Sequence, residues 1–121
     1  MPIEWTRAAT DHLIRQRRRG NERYHDMDGR SRVSFWETTA RRLYQDLRFR
    51  CSARQCEQRF RNLIRNFNDF VEWRNGGSRG RWTRTGQRYY RSFRSRLWEQ
   101  PETRHSRRRQ RNRRHLRRLR A

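Results

Sequence analysis

Between Ser52 and Val71 the apolar residues Cys56, Phe60, Leu63, Ile64, Phe67 and Val71 recur at the spacing of one helix face. Ser52 stands before this run with Gln55 three residues on, the arrangement of an N-cap and its reciprocal partner. The opposite face reads Arg54, Gln55, Gln58, Arg59, Arg61, Asn62, Arg65 and Asn66, with little acid besides Glu57. A helix of this kind buries one side and offers guanidinium and amide groups on the other.

Two more helices are legible before it. The first runs from about Thr6 to Arg18, with Thr6 as N-cap and Ala9, Leu13 and Ile14 as its apolar stripe, and Gly20 ends it. A polar stretch follows from Asn21 to Val33 and contains the turn signal Asp28-Gly29. The second helix is expected to start at Ser34, where Ser34 and Glu37 read as a capping box, and to bury Phe35, Trp36, Ala40, Leu43, Tyr44 and Leu47. No β-hairpin signal competes, so the expected fold is all-α. Its core should include Trp5, Leu13, Trp36, Leu43, Cys56, Phe60, Leu63 and Phe67.

Beyond this unit, Asn75 to Gly80 is glycine-rich and reads as a flexible linker. A fourth, amphipathic helix is expected over 85–99, carrying Tyr89, Tyr90, Phe93, Leu97 and Trp98, either docked on the core or open to a protein partner. The expected organisation is a three-helix domain over 1–75, a linker over 76–84, this helix, and an arginine-rich tail over 100–121.

Charge narrows the partner. The chain carries 34 basic and 12 acidic residues for a net charge of +22, and every basic residue is arginine. Such a chain repels itself unless a polyanion neutralises it, so nucleic acid is the leading partner. All the acids lie at or before Glu102, whereas ten arginines follow Thr103. Adjacent like charges should keep that tail disordered on its own. Its residues Arg107, Arg108, Arg109, Arg111, Arg113, Arg114, Arg117 and Arg118 suit nuclear import, phosphate binding or RNA binding. The 5 Trp, 4 Tyr and 6 Phe cluster between Trp5 and Trp98 and argue that this part folds.

Several classes of activity lack their signatures. Cys51 and Cys56 fit a reducing intracellular compartment and, with His12, His25, His105 and His115, offer no paired zinc-ligand spacing. No glycine-rich phosphate loop and no nucleophile-base arrangement is recognisable, so neither a cofactor nor an enzymatic activity is expected. No apolar run approaches a membrane span.

The stretch from Phe49 to Phe67 resembles the trihelix, or Myb/SANT-like, DNA-binding domain, whose third helix carries an R-S-x-x-x-C-x-x-K/R-W/F-x-N-L pattern. Here Ser52, Cys56, Arg59, Phe60, Asn62 and Leu63 carry the likeness, with Trp5 opening the first helix and Trp36 the second. The long connection between those helices, and paired aromatics downstream at Tyr89-Tyr90, are similar to the family as well. Phe60 stands where many members have Trp, Cys51 separates Arg50 from Ser52, and Arg replaces the usual Lys. The resemblance covers about residues 4–74 and, more loosely, 82–98. It implies a nuclear, sequence-preferring duplex DNA binder, often a transcriptional regulator or a transposon-derived accessory factor.

On that reading the third helix enters the major groove. Arg54, Gln58, Arg59 and Asn62 would read bases, Arg61 and Arg65 would hold phosphates, and Gln55 and Asn66 complete the face. The alternatives are a non-specific RNA-binding or packaging protein, of cellular or viral origin, driven by the tail, and a SANT-like adaptor that uses the 85–99 helix.

Overall fold

The computed structural model describes residues 3–99, and the described residues are helical with no strand. Six helices follow one another: α1 (Arg7–Arg19), α2 (Asn21–Asp26), α3 (Gly29–Leu47), α4 (Ala53–Arg74), α5 (Arg84–Arg88) and α6 (Tyr90–Phe93). The expected all-α class and helical bundle hold. The tail over 100–121 lies outside the described residues.

The three long helices begin on side-chain caps. The Thr6 hydroxyl accepts from the Ala9 amide at 3.1 Å and opens α1. At α4 both arms of the capping box form: the Gln55 amide donates to Ser52 Oγ at 3.1 Å, and the Ser52 amide donates to Gln55 Oε1 at 2.8 Å. α3 departs from expectation. It starts at Gly29, five residues before Ser34, because Asp28 caps it by accepting from the Ser31 amide at 3.0 Å. That bond holds the Asp28 carboxyl below the usual carboxylate range. The Asp28-Gly29 pair is thus a helix start, while Ser34 and Glu37 lie exposed inside the helix and form no box.

The polar stretch after α1 also folds, as α2, because Tyr24 has much to pack against. Its ring meets Phe35 and Trp36 edge-on, with centroids 5.3 and 5.7 Å away. The Arg17 guanidinium lies 3.9 Å from the ring centroid and that of Arg32 4.7 Å. Arg17 is 3% exposed and has no carboxylate partner among the described residues; burial pushes its pKa down to about 10, and its terminal nitrogen donates to the Asn21 side chain.

The core gathers Leu13, Trp36, Leu43, Cys56, Phe60, Leu63 and Phe67, all buried as expected. Trp5 is only half-buried and covers the edge, its ring 4.8 Å from Phe49. The same core takes Tyr89, Phe93 and Leu97 from the C-terminal segment. Rings connect one end to the other: Trp36 to Phe60 at 6.0 Å, Phe60 to Phe93 at 5.7 Å, and Phe93 to Trp98 at 5.3 Å.

Two expectations for this segment need correction. The glycine-rich stretch is a packed reversal and not a flexible linker. A Cβ on Gly80 would fall 2.1 Å from the Trp73 nitrogen, and the Arg81 amide donates back to the Asp69 carbonyl at 3.0 Å. The single helix over 85–99 is instead two short ones, broken at Tyr89 (φ −102°, ψ 10°), and the chain turns again at Arg96 with φ 54°. A straight helix of that length would run about 22 Å along one direction. The broken path curls around α4, so that Tyr89, Phe93, Leu97 and Trp98 all reach one core. Gly86 permits the approach, since a Cβ there would meet the Asn66 carbonyl at 2.5 Å and Phe70 Cβ at 2.6 Å. Arg18 donates to the Ser92 carbonyl at 2.7 Å, Asn21 to Glu99 at 3.2 Å and His25 to Trp98 at 2.9 Å, which ties the segment to α1 and α2.

Candidate nucleic-acid interface

Burying Cys56, Phe60, Leu63, Phe67 and Phe70 of α4 turns the residues between them outward. Arg54, Gln58, Arg61 and Arg65 form one exposed row along the helix, continued by Asn68. The row is held by its own neighbours. Asn62 Oδ1 accepts from Gln58 Nε2 at 3.3 Å and from Arg65 at 2.8 Å, and Arg61 pairs with Glu57 at 2.6 Å. A long, capped helix with polar side chains linked at i, i+3 and i, i+4 presents a pre-ordered surface of donors.

The remaining expected contacts are placed elsewhere. Arg59 is half-buried and turned to α1, where it donates to the Thr10 hydroxyl at 3.3 Å, while its Nε is buried without a partner. Burial lowers its pKa, and Tyr89 opposes that shift. Gln55 is taken up by the capping box. Asn66 folds back on its own helix and donates to the Asn62 carbonyl at 2.7 Å. So Arg54, Gln58, Arg61, Arg65 and Asn62 lie together, whereas Arg59, Gln55 and Asn66 have other partners.

Two further arginine groups lie outside α4. Arg48 and Arg50, in the loop before α4, both stand against the Tyr44 ring, at 5.2 and 5.3 Å. A groove between α1 and α3 is edged by Arg15, Arg19, Arg23 and Arg42, and its one carboxylate, Asp46, is engaged by His12 at 2.7 Å. The helical spacing of Arg15 and Arg19 was visible in the sequence, but their approach to Arg42 depends on how α1 crosses α3. Among the described residues no group of three or more His, Cys, Asp or Glu is placed to hold a metal ion, and no helix is long and apolar enough to cross a membrane.

A profile of the Myb/SANT-like DNA-binding domain family matches residues 3–97, nearly the whole described chain. The chain belongs to this family. No match is found among curated proteins or among solved structures. The Myb/SANT-like match runs past the expected boundary at residue 75 to Leu97, the last residue that the core buries. A DNA-binding role follows from the family, and α4 is the Myb/SANT-like helix that carries the exposed row.

Proposed function

We propose that this is a sequence-preferring duplex DNA-binding protein, acting in the nucleus as a transcriptional regulator or as a transposon- or virus-derived factor. α4 serves as its recognition helix. The reading rests on the exposed row of Arg54, Gln58, Arg61 and Arg65, which lies opposite a wholly buried face. A major groove admits one helix, and Arg and Gln side chains near its N-terminal half can reach guanine and adenine edges through paired hydrogen bonds. Arg54, Gln58 and Asn62 are assigned to bases and Arg61 and Arg65 to phosphates.

Selection from random duplexes with the full chain should recover a motif. Arg54→Ala should then cost about 1–3 kcal/mol at the preferred site and little on random duplex. Arg65→Ala should weaken both alike and reduce the slope of log affinity against log salt by about 0.9. Equal losses on both duplexes for Arg54→Ala would overturn the assignment.

The ten arginines after Thr103 favour a second reading, general RNA or DNA packaging. Under it, deleting residues 103–121 removes most binding and single-stranded RNA competes as well as duplex. The adaptor reading loses ground because Tyr89, Phe93 and Leu97, the face it needs, are buried in the chain's own core.

A further inference from the structure

Cys51 and Cys56 occupy the positions just before the cap and on the second turn of α4, where a pair of apolar side chains commonly staples the start of a helix. Here the staple is made of two thiols, with their sulfurs 3.4 Å apart. A disulfide needs about 2 Å, so closing the bond requires little movement of either side chain. Both thiols are free, Cys56 fully buried and Cys51 half-exposed.

The surroundings make the two unequal. Cys51 lies in an open groove of about 360 Å³ that it shares with Ala40, Arg41, Tyr44 and Arg50. Arg41 and Arg50 line the same groove, so an anion formed there would have cations nearby. The hydrogen bond from the Cys56 thiol holds the Cys51 thiol below the ordinary thiol range, against the effect of burial. The same bond, together with burial, pushes the Cys56 thiol well up. One sulfur is therefore accessible and activated, and the other is protonated, shielded and in contact with it.

We propose that Cys51 and Cys56 form a peroxide-reactive dithiol, with Cys51 as the attacking sulfur and Cys56 as the resolving one. The Cys51 thiolate attacks one oxygen of a hydroperoxide and the O–O bond breaks. Cys51 becomes a sulfenic acid, and the leaving oxygen departs as water or an alcohol after taking up a proton. Cys56 then gives up its proton, attacks the Cys51 sulfur and releases the second oxygen as water, leaving a Cys51–Cys56 disulfide. The two sulfurs are oxidised and the peroxide is reduced; two molecules of a small thiol then return the disulfide to two thiols by exchange and are themselves oxidised to a disulfide. The chemistry does not depend on what α4 binds, but it acts at the end of the helix that carries Arg54 and Gln58.

Arg54 lies between the two cysteines, so trypsin separates Cys51 and Cys56 onto different peptides. The fully reduced full chain is treated with hydrogen peroxide at neutral pH, unfolded in iodoacetamide and mapped. The expected product is a chain lighter by two hydrogen atoms, with peptides 51–54 and 55–59 joined and then released by dithiothreitol. Cys56→Ser should instead give a sulfenic acid at Cys51 that dimedone traps, and Cys51→Ser should leave Cys56 unoxidised. Two free thiols remaining in the wild type, under conditions that oxidise free cysteine, would overturn the proposal, as would disulfides formed only between chains. The wild-type map decides the matter even where a Cys56 variant fails to fold.

Discussion

Replacing Phe93 by Ala tests whether residues 84–99 belong to the body of the fold. Phe93 has no exposed surface, and its ring stands 5.7 Å from Phe60, 6.1 Å from Phe67 and 5.3 Å from Trp98. Removing a fully buried Phe loses its transfer free energy and leaves a cavity that rigid aromatic neighbours cannot fill, at a cost of about 3–5 kcal/mol. A domain of this size holds roughly 5–15 kcal/mol in total, so the variant retains a fraction of its stability. At about 4–8 °C per kcal/mol the midpoint of thermal unfolding should fall by some 12–40 °C. The assay is denaturant and thermal unfolding followed by tryptophan fluorescence, since Trp36 and Trp98 lie on the same ring path. Arg91→Ala, at an exposed neighbouring position, should stay within about 0.5 kcal/mol of wild type. Were Phe93→Ala and Arg91→Ala to unfold together with wild type, the C-terminal segment would be a detachable arm and its placement here would be refuted.

Three more expectations follow from particular contacts. Ser52→Ala removes the acceptor for the Gln55 amide and should cost about 1 kcal/mol in chemical denaturation, with helix content unchanged at low temperature. Arg59→Met should leave stability level or raise it, because the half-buried guanidinium has one long bond and a buried Nε with no partner among the described residues, and Thr10 keeps its bond to the Thr6 carbonyl at 2.9 Å. It should also leave the salt slope of DNA binding unchanged; a fall in that slope would mean that Arg59 reaches a phosphate. Acid should loosen the C-terminal clasp. Burial lowers the pKa of His25 below 6.5, and the cations of Arg17 and Arg32 add to the shift, while the Trp98 carbonyl and Asp26 oppose it. The unfolded chain thus takes up a proton that the folded chain resists, so the stability present above about pH 6.5 is lost as pH falls through that value toward the lower folded one. Melting curves from pH 8 to 5 should show this loss, and His25→Gln should lack that part of it.

Much of the helical framework was legible because it is written in short-range terms. Thr6 and Ser52 cap the helices they precede, and the stripe from Cys56 to Phe67 faces inward as its spacing requires. At the second long helix two caps competed within a few residues, and Asp28 prevailed over Ser34 because nothing between them interrupts a helix. Spacing along α4 also marked Arg54, Gln58, Arg61 and Arg65 as outward-facing. It could not exclude Arg59, which lies at the edge of that face and whose inward turn depends on Thr10 of a different helix.

Charge, the aromatic supply and one capped amphipathic helix were thus determined by the sequence itself: an all-α chain with a polyanion for a partner. Tertiary structure decided what the sequence left as polar stretch, linker and spare helix. α2 is held by the stacking of Tyr24 between guanidinium groups and rings, and the glycines bring the chain back onto α4 because only a residue without a side chain fits against Trp73 and Asn66. Local propensity is a property of neighbours in sequence. Whether Phe93 faces a partner or completes the chain's own core is a property of neighbours in space, and here Phe60, Phe67 and Trp98 were the nearest apolar surface.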